Sequence, residues 1–331
     1  MNKSEMRETT TEVAISLNAV LFAMSADDPC VLCLQQDNTE TGLPSGPFDP
    51  ERHRTFEIGV REWVERQTEV SLGHIEQLYT FGDKDRDDES TTRRHISVGY
   101  LALAPSPAPV QSSKARWINW YTLFPWEDLR AGSSKILNDR IIPALIDWAD
   151  QSGTEMQRTN RRQRICVAFG LEEYEWEEAL SLDRYELMYE ARLVSEAYRN
   201  DPNKFSNLND VLQLSRPMIS DHRRILATAI GRLRGKLRYR PVLFEMAPDS
   251  FTLLQLQSMT EAIVGFRFHK QNFRRSIENS GFVERTDEAI RHATGRPAAI
   301  FKVNKRGLRE KASSGVTIPR IQKAVKNDDP N

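Results

Sequence analysis

The chain has 331 residues, more than one hydrophobic core usually organises, so two domains with connecting elements are expected. Hydrophobic residues make up 39% and charged residues 28%, which excludes a disordered chain. The apolar stretch from Val13 to Met24 is too short for a bilayer, lacks a basic flank and is interrupted by Ser16 and Asn18. Neither a membrane span nor a signal peptide is expected there, and the cytoplasm is the expected location.

A formal net charge of −1 hides a division. From Pro217 onward there are 22 Lys+Arg against 11 Asp+Glu, or +11; with 46 and 47 in the whole chain, the first 216 residues hold 24 against 36, or −12. A basic C-terminal part suggests a polyanionic partner, although charge alone does not separate DNA from RNA or an acidic protein. Cys30, Cys33 and Cys166 cannot close a disulfide framework and fit a reducing compartment. Cys30 and Cys33 have C-x-x-C spacing, but lie in an apolar run with no second Cys/His pair at a zinc spacing, so buried small hydrophobes are expected.

In chain order, Val13–Met24 and Val31–Gln35 read as a strand pair, followed by a Gly/Pro-rich loop at 42–50. Residues 53–69 read as a helix with Phe56, Val60, Trp63 and Val64 along one side. Ile75–Phe81 and His95–Ala104 read as strands joined by the charged stretch Gly82–Arg94. Pro105–Pro109 is a surface loop, Trp117–Phe124 is strand-like, and Leu137–Trp148 is a helix that closes a first domain near residue 150. Residues 151–216 read as a helical insertion whose acidic run, Glu172–Glu190, forms a solvated face. Asp221 opens an amphipathic linker helix within 217–240, with Ile225, Leu226, Ala229, Ile230, Leu233 and Leu237 inward.

Residues 241–305 contain Thr252 as N-cap and Leu253, Leu256, Met259, Thr260 and Ile263 at helical spacing up to Gly265. A second helix, His269–Asn279, turns Phe273 and Ile277 inward and leaves Lys270, Gln271, Arg274 and Arg275 outside. Phe282–Val283, a polar turn from Thr286 to Gly295 and Ala298–Val303 read as a hairpin with Arg291, His292 and Arg296 at its tip. Together these elements make a winged helix-turn-helix, whose second helix enters the major groove and whose wing touches phosphates. The alternative is a small packing domain with solvated basic residues. Residues 306–331 read as a basic, mobile tail.

Arg61-Glu62-Trp63-Val64-Glu65 matches the R-E-U-x-E core of the box that places magnesium-binding carboxylates on a Nudix helix. The match is damaged: Arg66 stands for the second Glu of the pair, Thr68 for the box glycine, Glu69 for the final apolar residue and His53 for the upstream Glu. Glu62 and Glu65 are thus degenerate metal positions, and neither a metal site nor catalysis is expected. Leu43-Pro-Ser-Gly46 is similar to the loop ahead of many such helices. Glu and Arg at these spacings also occur simply as surface ion pairs.

Taken together, the two ends resemble the Nudix-related transcriptional regulators of NAD metabolism, particularly the alphaproteobacterial ones. The resemblance is carried by Gln77–Arg86 followed by Ile96–Ala102, by Asp221-His222 with Ile225-Leu226, and by Phe251–Gln257, Asn272–Arg275 and Gly295–Ala298. It implies a mixed α+β chain with a Nudix-like α/β/α domain over 10–150 and a C-terminal winged helix-turn-helix, and it leaves the helical insertion between them unexplained. It further implies a homodimeric repressor of NAD synthesis or salvage genes that binds double-stranded DNA and is controlled by ADP-ribose, NAD or a related nucleotide, with no required cofactor. Arg61, Phe81, Asp83, Asp85 and Arg86 would contact that nucleotide, though each also reads as a turn or surface charge. Lys270, Gln271, Asn272, Arg274, Arg275, Arg291 and Arg296 would contact DNA. An active pyrophosphatase on ADP-ribose or another nucleoside diphosphate derivative is the alternative, and an interaction scaffold built on 151–215 a third reading.

Overall fold

The computed structural model describes residues 12–25, 28–36, 40–83, 94–132, 134–199, 214–239, 242–290 and 297–310. Asp85, Arg86, Arg291, His292, Arg296 and the tail from 311 lie outside these residues.

A seven-stranded mixed sheet organises the N-terminal part. It contains β1 (Val13–Ser25), β2 (Asp28–Gln36), β3 (Glu40–Gly42), β4 (Ser45–Pro47), β5 (Ile75–Phe81), β6 (Arg94–Ala104) and β7 (Ala115–Asn119). β1 runs parallel to β6 from Val13 opposite Arg94 to Ala23 opposite Ala104. Its other edge pairs first with β4 and then with β2. The stretch expected to be only a loop, 42–50, therefore supplies a strand. Three residues hydrogen-bonded to the long β1 suffice, with no apolar alternation to announce them.

Alternation along β1 builds two cores. Leu17, Ala19 and Leu21 pack with Val98, Tyr100 and Ala102 and with Val60 and Val64 of helix α1 (Phe56–Thr68). Val20, Phe22 and Met24 face the opposite side, where the helices of the remaining chain gather. Cys30 and Cys33 are buried, and desolvation pushes both thiols up to about 12, as expected of small hydrophobes.

Two expected elements change form. Strand β7 stops at Asn119, whose side chain accepts from the Tyr121 amide and turns the chain into 3-10 turns at Trp120–Thr122 and Pro125–Glu127. Trp120, Phe124 and Trp126 become fully buried. The helix expected over 137–148 starts as a π-type turn, Leu137–Ile141, before α2 (Ile142–Asp150). Pro143 lacks an amide hydrogen at the transition, so the ladder changes register there.

Helices α3 (Glu155–Phe169) and α4 (Ser181–Glu190) pack into the second core. The acidic segment is not wholly solvated: Glu178, like Glu196 just beyond, is 3% exposed; Arg223 pairs with the Glu196 carboxylate, and Arg184 and Arg234 donate to the Glu178 carbonyl. Helix α5 (His222–Tyr239) buries all six expected apolar residues. The winged domain comprises β8 (Ser250–Thr252), α6 (Leu253–Val264), α7 (Lys270–Ser280), β9 (Val283–Ile290) and β10 (Ala298–Val303). β10 lies between β8 and β9. The polar turn expected from Thr286 is partly strand, since β9 pairs with β10 up to Ile290 opposite Ala298. A short helix α8 (Lys305–Glu310) occupies the start of the expected tail.

Candidate nucleotide and nucleic-acid sites

The box helix α1 begins at Thr55, which caps the Ile58 amide, and ends at Glu69, which takes a left-handed conformation at φ 60°. Thr68, in the box-glycine position, is buried and donates its hydroxyl hydrogen to the Val64 carbonyl. The polar side chains of α1 are largely spent on its own surroundings. Arg61 bonds Glu57 and the carbonyls of Leu72 and Gly73. Gln67 donates to the Ser45 carbonyl at 2.8 Å and accepts from its amide at 3.0 Å. Trp63 donates to the Pro47 carbonyl at 3.0 Å and covers Gly46, where a Cβ would lie 2.2 Å from the ring. The loop before the helix is thereby clamped to it.

A divalent cation does not fit this helix. Arg52 holds one oxygen of Glu62 at 2.6 Å and His53 Nε2 lies 3.3 Å from the other. The Arg66 guanidinium, where a third carboxylate would be needed, lies 4.7 Å from the Trp63 ring centroid. Among the described residues no group of three His, Cys, Asp or Glu is arranged to hold a metal ion.

Phe81 and Asp83 lie at the far end of β5 from the Arg61 contacts, separated by about 20 Å of strand, and on the opposite side of the sheet. Phe81 is 4% exposed and belongs to the second core. Asp83 is paired with Arg224 of α5, whose guanidinium lies 5.5 Å from the Phe81 ring centroid. The structure thus brings Phe81 and Asp83 together around Arg224 and does not bring Arg61 to them. Arg224 was missed in the sequence. Its only local signal is Asp221 three residues earlier, a weak i,i+3 pair.

In the winged domain, Thr252 and Gln255 form a reciprocal capping box and Gly265, at φ 91°, ends α6. Phe273 and Ile277 seat α7 on the domain core. Lys270, Gln271, Asn272, Arg274 and Arg275 are all exposed. Helical geometry sets Gln271, Asn272 and Arg275 roughly opposite the buried pair, and Lys270 and Arg274 on the flank. That flank lines a cleft of about 750 Å³ between α6, α7 and the wing, to which β9 contributes Arg285. Arg285 was not singled out in the sequence, since it falls between the expected strand Phe282–Val283 and the expected turn from Thr286, and only the extension of β9 to Ile290 brings it to the cleft.

The fold is a mixed α/β chain in which a Nudix-like domain is joined through one long helix to a winged helix-turn-helix. Residues 243–303 match the family model described as the NrtR DNA-binding winged helix domain, so the C-terminal domain is a winged helix of NrtR type. A curated relative, the ADPR responsive transcriptional repressor NtrR of Acinetobacter baylyi, is 32% identical over 121 residues. That alignment covers 35% of this chain and 47% of the relative, so it spans about half the relative's length. A MutT/nudix family protein from Enterococcus faecalis superposes with a TM-score of 0.50 at 16% identity, covering 91% of this chain and 90% of that one, a likeness of fold. The structure of NrtR from Shewanella oneidensis gives a TM-score of 0.49 at 21% identity over 88% and 94% of the two chains.

Proposed function

We propose that this chain is a cytoplasmic transcription repressor of NAD synthesis or salvage genes, acting as a homodimer on double-stranded DNA. Its Nudix-like domain binds ADP-ribose or a related nucleotide without hydrolysing it. One observation carries the DNA-binding reading: five polar and basic side chains stand exposed on the second helix of a domain matching an NrtR-type winged helix. Glutamine, asparagine and arginine pair with base edges, while Lys270 and the cleft arginines suit phosphates. The ADP-ribose response named for the Acinetobacter baylyi relative supports the choice of effector. Glu62 held by Arg52 and His53, and Arg66 in place of a carboxylate, support binding without hydrolysis. No described helix is long and apolar enough to cross a membrane.

The test is an electrophoretic shift on NAD-gene promoter fragments, repeated with ADP-ribose, NAD, nicotinic acid mononucleotide and ATP. The expected result is retarded DNA whose affinity changes with ADP-ribose, and indifference to every nucleotide overturns the sensing role. Product release from ADP-ribose with Mg²⁺ or Mn²⁺, abolished by Glu65→Gln, would establish the hydrolase alternative instead.

A further inference from the structure

Helix α5 is fastened at both ends by arginines. Near its start, Arg224 is 15% exposed and bonds three carboxylates on three different segments: Asp83 after β5, Glu186 of α4 at 2.6 Å, and Asp221 at 3.3 Å. Ten residues on, roughly 15 Å along the helix, Arg234 is fully buried between Glu127 and the C-terminal end of α6. Its Nε donates to the Ile263 carbonyl at 2.8 Å. Two further bonds hold that end of α6 from outside its domain: Tyr121 Oη donates to the Ala262 carbonyl at 2.6 Å, and the Leu129 amide donates to the Gly265 carbonyl at 2.6 Å. At Gly265 a Cβ would lie 2.2 Å from the Glu127 carbonyl oxygen, so the two parts meet backbone to backbone. These carbonyls are ones a helix end leaves without intrahelical partners. Arg234 thus ties the end of α6 to α5, while Tyr121 and Leu129 tie the same end to the segment after β7, so displacement of α5 reaches α6 and α7 through the bond from Arg234 to Ile263.

We propose that Arg224 is the positioning residue through which a nucleoside diphosphate derivative at the end of β5 reaches the DNA-binding helices. The proposal rests on the nucleotide-sensing reading above. A diphosphate carries more charge than a carboxylate and accepts the same guanidinium hydrogen bonds. It competes with Asp83 for Arg224 and repels Asp83 where both approach. Release of Asp83 leaves Arg224 held by Glu186 and Asp221, so the start of α5 follows α4 in place of the sheet. The helices of 155–199 become a brace against which α5 shifts.

The experiment uses the full chain with Arg224→Met, Asp83→Asn and the double variant. The first measurement is the ratio of dissociation constants for a duplex of the chain's own upstream region, with and without saturating ADP-ribose. The second is amide hydrogen exchange across 253–264 in the absence of DNA and ligand, with α1 as internal reference. The ratio in Arg224→Met is expected to fall to within about twofold of one, while ligand-free DNA affinity stays within about threefold of wild type. Asp83→Asn releases the same contact without ligand, so its ratio should also fall to within about twofold of one, with ligand-free DNA affinity shifted to that of ADP-ribose-bound wild type. The double variant should lose no more of the ratio, the non-additivity of a shared contact. Exchange in α6 should change at least about threefold while α1 does not. An unchanged ratio in Arg224→Met overturns the proposal, as does loss of melting temperature and DNA affinity together with the ratio retained. If ADP-ribose leaves wild-type DNA affinity unmoved, the sensing reading has failed separately. The exchange then decides: unchanged α6 protection removes Arg224 from the coupling, and altered protection keeps it.

Discussion

Helices α5 and α7 both carry arginine, but α5 turns Arg223, Arg224 and Arg234 inward onto Glu196, Glu186 and Glu127. In α7, Lys270, Gln271, Asn272 and Arg275 are exposed and make no ion pair or side-chain hydrogen bond with another described residue. Among the described residues Arg274 reaches only Glu278, at 3.5 Å. The excess of +11 beyond Pro217 is thus not one reservoir. Part of it is neutralised internally by the acidic first 216 residues, and only the remainder faces solvent where DNA could meet it. Acidity and basicity divided along the sequence serve two purposes: holding the halves together and presenting a charged helix.

The sharpest way to break this comparison is to remove the buried counter-charge. Glu127 is fully buried between Arg184 and Arg234. Burial alone would push its carboxyl up, and the two guanidiniums outweigh burial, holding it below the usual range. Glu127→Ala strands two buried cations and should cost about 3–5 kcal/mol in urea unfolding, whereas Arg275→Ala should leave the unfolding midpoint in place. Equal effects would show that both helices rely on their charges in the same way.

The second prediction concerns pH. His222, at the start of α5, accepts the Leu43 amide on Nδ1 at 2.9 Å. Burial, with a smaller contribution from Arg199, depresses it from 6.5 to about 4. Between those values the unfolded chain binds a proton that the folded chain refuses, so stability is present above pH 6.5 and lost on acidification. From pH 7 to 5 the loss should be about 2 kcal/mol. His222→Asn can keep an acceptor for the Leu43 amide and should remove most of that slope. A wild-type slope persisting in this variant assigns the pH response elsewhere.

The helical face of α7 was legible because one turn separates Phe273 from Ile277 and nothing in between contradicts the period. The core of α5 was legible for the same reason. What could not be read was the destination of the α5 arginines, since Arg224 and Asp83 lie 141 residues apart and Arg234 and Glu127 lie 107 apart. In sequence they look like the exposed arginines of α7. The Nudix-like helix shows a similar limit: R-E-W-V-E locates α1, but that Arg61 is tied to Leu72 and Gly73 follows only from the sheet. Strand β4, three residues long, leaves no periodic pattern at all, and the π-type turn before Pro143 is hidden inside the helical spacing expected over 137–148.

On the exposed side, Arg275→Ala should weaken specific DNA binding about 10- to 100-fold, roughly 1–3 kcal/mol, and relax preference at one position. Lys270→Ala should weaken all sequences alike and lower the salt slope by about one. Gel shifts at several salt concentrations separate the two. An identical pattern for both would mean that α7 grips phosphates alone.

The smallest expected effect lies on α5 itself. Lys236 pairs with Glu76 across the sheet edge, with side chains 20% and 31% exposed. Such partly solvated pairs contribute little, because water screens the attraction and ordering two long side chains opposes it. Lys236→Ala should therefore shift unfolding by less than about 1 kcal/mol and leave DNA affinity and its salt dependence unchanged. A salt slope lowered by one would place Lys236 against phosphate. The exposed edge of α5 would then belong to the DNA-facing surface, and the boundary between internal and external charge would run along this helix, not between α5 and α7.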